Sequence, residues 1–234
     1  MPIVLQNTTQ ATKSATTGTT LAAAVTPTAG NFLILGVSVS GGTLNSIASI
    51  ADTKANTFTR VASVNDATAG TIDCELWTAP VTAGGSDTIT LTITGSHYCN
   101  VWVREYSGLA ATPLDKFVSA KGTGTALSSG ATATLSQADE LVIGFGGTVD
   151  GGETYTAGSG FGNLVQAQIG AGTYDTAMED KIVSATTAQT AAFTASISDA
   201  WACIAATFKA AAAPSGPPES PTFTRQAQMR ASLR

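Results

Sequence analysis

Apolar residues recur at every second position through short segments along most of this chain. Leu33, Leu35, Val37 and Val39 share one parity in NFLILGVSVS, Ile89, Leu91 and Ile93 in DTITLTIT, and Leu141, Ile143 and Phe145 in ELVIGFGG. A two-residue period puts such residues on one face of a β-strand. TIDCELWTAP, CNVWVREYSG and AWACIAATFK follow the same recipe, and SGG, AGG, SSG and DGG lie between the segments as turns. The pattern predicts an all-β fold, an antiparallel β-sandwich whose strands bury one face and show the other to water.

Strands are expected at 3–5, 18–24, 31–40, 46–51, 58–64, 71–79, 87–94, 98–106, 140–147, 164–169, 176–184, 189–197 and 201–209. DTKANT suits a tight turn and PVTAGGS a hairpin loop. SGLAATPLDKF reads as a long connection across the sandwich, with one or two further strands in 117–138. TVDGGETYTAGSGFG reads as the longest irregular loop. No amphipathic helix and no clean internal repeat is visible, although the two Trp-bearing strands CNVWVREYSG and AWACIAATFK look loosely alike. One sandwich domain is therefore expected over residues 1–209, with 1–30 supplying an N-terminal arm and the first strands. At 210 the composition shifts to AAAAPSGPPESP, a Pro-rich linker that cannot be a central strand. The basic stretch PTFTRQAQMRASLR ends the chain, so 210–234 is expected to be a Pro-rich linker and basic C-terminal arm.

Ala and Thr make up about a third of the 234 residues, and charged residues only 12%, about half the usual share. Few charges would have to be desolvated when such a surface packs against a partner. The net charge of −5 argues against nucleic acid as the partner, because phosphate binding needs clustered Lys and Arg. The charge is uneven: after Glu219 the only charged residues are Arg225, Arg230 and Arg234. No apolar run reaches the length of a membrane span, and the N-terminus lacks the basic-then-apolar pattern of a secretory leader. Assembly in a host cytoplasm, without a membrane, is the expectation. Cys74, Cys99 and Cys203 fit no disulfide framework or zinc spacing. Parity turns Cys74 and Cys99 inward as buried thiols, with a Cys74–Cys99 bridge as the alternative.

Candidate chemistry is sparse. His97, the only histidine, lies in TGSHYC at a turn, with nothing resembling a nucleophile elbow nearby. Asp73 and Glu75 share the outward parity of one strand, with Glu105 on a neighbouring one. Paired acids serve glycoside hydrolysis, but exposed acids on a sheet ordinarily only solvate it. Asp150, Glu153 and Asp175 lie in or near Gly-rich loops where oxygen ligands can hold Ca²⁺, in no EF-hand spacing. Trp77, Trp102 and Tyr106 fall opposite the aliphatic parity. There they either stack on sugar rings, anchor a protein interface, or pack under a covering layer. In the C-terminal arm, Pro214, Pro217, Pro218 and Pro221 favour an extended chain. Phe223 and Met229 offer apolar anchors, and Arg225, Arg230 and Arg234 offer guanidinium groups to carboxylates. No enzyme activity and no cofactor is expected.

The segments NFLILGVSVSGGT, ADTKANTFTRV, ELWTAPVTAGGSDTITLTITG, VWVREYSGL followed by PLD, DELVIGFGG and AWACIAATFK, taken in order, resemble a family of Gly/Thr-rich β-sandwich proteins. These occur in tailed bacteriophages and in bacterial surface or prophage proteins. The resemblance covers about residues 31–209 and leaves out the Pro-rich tail. It implies a jelly-roll-like sandwich acting as a structural or adhesive module, with no catalytic chemistry to carry over. The expected role is a virion structural protein, a decoration or cementing protein on the head exterior. It would bind other virion proteins, whether of capsid or tail, as a homo-oligomer in the assembly. The alternatives are a tail or fibre adhesin for host glycan, and a polysaccharide depolymerase, which would need an acid pair in a groove.

Overall fold

The computed structural model describes residues 2–13, 18–66, 71–170 and 174–212. The described residues form fourteen strands: β1 Val4–Lys13, β2 Thr20–Val25, β3 Phe32–Ser40, β4 Ile47–Asp52, β5 Thr59–Asn65, β6 Ile72–Pro80, β7 Asp87–Ile93, β8 Cys99–Ser107, β9 Leu109–Ser128, β10 Glu140–Thr148, β11 Tyr155–Thr156, β12 Gly162–Ile169, β13 Tyr174–Val183 and β14 Ala192–Ala210. Every strand pairing is antiparallel, and the described residues contain no helix. The fold is the all-β antiparallel sandwich that the alternation predicts.

One sheet has the order β1-β8-β3-β6-β5, and a small sheet has the order β2-β7-β4. A third runs β11-β14-β10-β13-β12, with β9 also paired to β14. The two halves of the chain follow one plan. In the first, β1 pairs with β8 and β2 with β7. In the second, β9 stands for both β1 and β2, and β14 for both β7 and β8. The stretch 109–124 of β9 lies along 199–210 of β14, and Ala126–Ser128 along Ala192–Thr194. Strands β10, β11, β12 and β13 then take the places of β3, β4, β5 and β6. Each half has strands one, eight, three and six in its large sheet and two, seven and four in its small one. This is the order of a jelly roll, with the fifth strand moved to the edge of the large sheet.

The repeat extends to register. Leu76 and Trp102 flank Gly36 as Met178 and Ile204 flank Phe145. Asp73 lies opposite Val39 as Asp175 lies opposite Thr148. Thr94 N donates to Ser46 O at 2.7 Å, and Ser196 N to Thr154 O at 3.0 Å. Ser40 N donates to Tyr98 O at 3.0 Å, and Val149 N to Ala200 O at 3.1 Å. The sequence shows no clean repeat because these likenesses reside in backbone pairing, which many apolar residues satisfy equally well.

Three apolar layers hold the body together. Ile34, Ile72, Leu76 and Tyr106 of the first large sheet meet Ile143, Phe145, Ile204 and Phe208 of the second. On the far side of the first large sheet, Leu33, Leu35, Val37 and Val101 pack with Leu21, Ile89 and Leu91 of the small sheet. On the far side of the second, Ala177, Cys203 and Ala205 pack with Leu127, Tyr155 and Phe193. Each fully buried Leu, Ile or Phe contributes about 1.5–3 kcal/mol.

This layering corrects the expectation of one wet face per strand. All nine residues of β3 and all nine of β10 are buried, because each large sheet is covered on both sides. The alternating apolar residues are buried in two layers: Ile72, Leu76, Leu141, Ile143 and Phe145 lie between the large sheets. Leu33, Leu35, Val37, Ile89, Leu91, Val101 and Val103 lie under the small one.

Cys74 faces the first of these layers and Cys99 the second, with β3 between their strands. All three cysteines are buried thiols outside any disulfide, and no Cys74–Cys99 bridge forms. PVTAGGS is not a hairpin loop, because β6 and β7 belong to different sheets. SGLAATPLDKF is not a long connection: Ser107 ends β8, Gly108 makes the turn and 109–117 open β9. Pro113 is tolerated there because β9 pairs on one side only, with β14. DTKANT is the expected tight turn, closed by Asp52 Oδ1, which accepts from Lys54 N at 3.1 Å and Asn56 N at 2.9 Å.

Candidate functional site

The acidic side chains of this low-charge chain are largely inside it, accepting backbone N–H groups where segments cross between sheets. Asp73 and Glu75 sit on β6 beneath the entry to β4 and are fully buried. Ser46 N donates to Asp73 Oδ2 and Ile47 N to Glu75 Oε1, both at 2.8 Å. Glu75 Oε2 also meets Arg60 Nε at 2.8 Å and accepts from Trp77 Nε1 at 2.9 Å. Arg60 lies 4.7 Å over the Trp77 ring and donates through Nη2 to Ile47 O at 2.7 Å. One guanidinium thus joins β5, the start of β4 and β6. Burial, with Glu75 adding to it, pushes the Asp73 carboxyl up to about 7.

The same device recurs elsewhere. Glu105 accepts from Thr28 N at 2.8 Å and from the Asn31 side chain. Asp87 accepts from Thr53 N at 3.0 Å and Thr53 Oγ1 at 2.6 Å. Glu179 accepts from Gly158 N at 2.8 Å, and burial holds its carboxyl up near 7. Such charge-assisted bonds contribute about 1.5–3 kcal/mol each.

These placements correct the reading of Asp73, Glu75 and Glu105 as exposed acids. Their parity does point away from the layer between the large sheets, but the small sheet covers that side. Asp73 lies opposite Val39 and Glu105 opposite Leu33, six residues apart along β3, or about 20 Å. They do not flank a common groove.

The aromatic surface is corrected in the same way. Trp77 is 7% exposed, Trp102 7% and Tyr106 1%. Trp77 packs under the small sheet, whereas Trp102 and Tyr106 pack between the two large sheets. Parity set them opposite the aliphatic residues of their strands, and a second layer covers that face too. His97 lies in the turn between β7 and β8, half-buried beside Gly41 and Gly95.

Between the halves, Arg104 of β8 is fully buried, with Nη1 2.9 Å from Asp180 Oδ2 on β13. Tyr106 Oη donates to the same oxygen at 2.5 Å, and Asn163 Nδ2 donates to Asp180 Oδ1 at 2.9 Å. Arg104 Nη2 also donates to the carbonyl oxygens of Asn163 and Met178. No spacing rule in the sequence marks this cluster, or Arg60.

Of the three acids proposed for Ca²⁺, the structure brings two together. Glu153 and Asp175 line a cleft of about 210 Å³ with Thr154, Tyr155, Gln166, Ala167 and Gln168. Glu153 N donates to Asp175 Oδ2 at 2.7 Å, and Tyr155 N to Gln166 Oε1 at 2.7 Å. Burial and the adjoining Asp175 carboxyl push the Glu153 carboxyl up to about 8. Asp150 stays exposed, its N–H bonded to Asp199 Oδ2.

The arm residues Pro217, Pro218, Phe223, Arg225, Met229, Arg230 and Arg234 lie outside the described residues. No family model, no curated protein and no solved structure matches the chain.

Proposed function

We propose that this chain is a structural protein of a tailed-phage virion, a decoration or cementing protein of the head exterior that works by binding. The observation that carries the reading is where the acids are. Asp73, Glu75, Glu105 and Glu179 are buried, and each accepts backbone N–H groups that tie one segment to another. That use favours a rigid building block over a site for acid–base chemistry. The low-charge surface and the exposed apolar side chains Leu44, Phe117, Ile182 and Ile197 add contact area suited to packing in a lattice. The ordered resemblance of the strand segments supplies the phage context; fold alone would not. In this role the body stabilises the assembled shell by binding it preferentially, and the basic arm adds a second attachment.

The test is truncation after Ala212. The shortened chain should fold, remain soluble and fail to join virions, as read by its copy number in purified particles. Incorporation at the normal copy number would remove the arm as the attachment device. Absence of the full-length chain from particles would remove the virion role itself.

A further inference from the structure

We propose that the cleft between β11, β12 and β13 is a Ca²⁺ site with Glu153 and Asp175 as its carboxylate ligands. Glu153 is only 5% exposed and Asp175 1%. Glu153 Oε1, Glu153 Oε2 and Asp175 Oδ1 are all buried without a hydrogen-bond partner, and both residues line the cleft. Three unanswered carboxylate oxygens at one buried corner call for a cation, because a buried charge without a partner is costly.

The internal repeat supplies an independent argument. The corresponding corner of the first half is where β5, the start of β4 and β6 meet. It holds Asp73, the counterpart of Asp175, and, two residues on, Glu75 in the place of Ala177; there the acid pair meets a side-chain cation, Arg60, 2.8 Å from Glu75 and 2.7 Å from Ile47 O. In the second half β12, the start of β11 and β13 meet in the same arrangement. Among the described residues, the ion pairs are Arg60–Glu75, Arg104–Asp180 and Lys116–Asp115, so no basic side chain pairs with Glu153 or Asp175. One repeat fills its corner with a guanidinium; the other presents carboxylates to an open cleft.

The donor set selects the ion. No group of three or more His, Cys, Asp or Glu side chains clusters at metal-binding distance among the described residues. That disfavours zinc, which is held almost entirely by side chains. Two carboxylates in a cleft also lined by Gln166 and Gln168 suit a hard cation of flexible coordination, which completes its shell with backbone oxygens and water. Mg²⁺ demands a tighter octahedron and keeps its waters, so the cleft should favour Ca²⁺.

The test uses the full chain freed of metal ions. Calorimetric titration with CaCl₂ should show one site per chain, with half-saturation at or below about 1 mM, the weak end of oxygen-ligand sites. Ca²⁺ should raise the melting temperature, and Mg²⁺ at the same concentration should raise it less. Tb³⁺ should bind competitively with Ca²⁺ and luminesce on excitation of tyrosine, since Tyr155 lines the cleft. Glu153→Gln, which keeps the side-chain shape, should abolish all three responses. Asp150→Asn, outside the cleft, should leave them intact. No heat and no melting shift with CaCl₂ would overturn the proposal. So would equal responses in a folded Glu153→Gln variant and the parent chain.

Discussion

Gly36 and Phe145 occupy equivalent positions in the two halves and face each other across the layer between the large sheets. A Cβ built on Gly36 would lie 2.5 Å from Phe145 Cδ2. The glycine of one repeat is therefore the seat of the other repeat's aromatic ring. Gly36→Ala should destabilise the protein by about 1–3 kcal/mol through overpacking, read as a lower midpoint in urea unfolding. An unchanged midpoint would show that the ring can shift without cost.

The Arg104–Asp180 pair is buried at the same junction. Arg104→Met leaves the Asp180 charge without its cation and should cost about 3–5 kcal/mol. Tyr106→Phe removes one hydrogen bond to that carboxylate and should cost about 1.5–3 kcal/mol. Denaturant melts of the two variants check the ordering, which matters more than either value.

Asp73 makes stability depend on pH. Its folded-state value of about 7 lies above the ordinary 3.8, so the folded protein binds the proton more tightly than the unfolded chain. The resulting contribution is fully present below about pH 4 and is lost as pH rises through about 7. Asp73→Asn retains an oxygen acceptor for Ser46 N and does not titrate. It should raise the melting temperature at pH 8 by several degrees relative to the parent and change it less at pH 5. An equal shift at both values would assign the effect to something other than this carboxyl.

Because each half carries a complete set of strands, the chain should tolerate division. Fragments 1–108 and 109–212, produced together, should form a one-to-one complex with the near-ultraviolet circular dichroism of the body. Produced alone, each exposes its face of the inter-sheet layer, such as Ile34, Ile72 and Leu76 on one side or Ile143, Phe145 and Phe208 on the other. Each should then aggregate or self-associate. Failure of the pair to combine would show that the covalent link is needed for folding.

Much of the architecture was legible in the residues. The alternating segments gave nearly every strand, and the apolar parity gave the buried side chains of β3, β7 and β10. What misled was reading one parity as inside and the other as outside. In NFLILGVSVS, Phe32 and Ile34 are apolar on the opposite parity to Leu33 and Leu35, the mark of a strand covered on both faces. Applied to its neighbours, that mark would have placed Trp77, Trp102 and the Asp73–Glu75 pair inside. The first half of β9 reads as a connection; its edge position lets a strand carry Pro113 there. Arg60 could not be matched to Glu75 from sequence, because they lie fifteen positions apart on neighbouring strands whose register, shifted between Arg60 and Ala62, follows no spacing rule.

The two jelly rolls share one chain, so their mutual contact never has to be found by diffusion and does not weaken on dilution. A pair of identical separate subunits would carry every substitution twice, once on each outer surface. Here a change falls on one surface alone. Each half can then evolve its own outward face, one closed by arginine and one left acidic, while the shared layer between them stays packed.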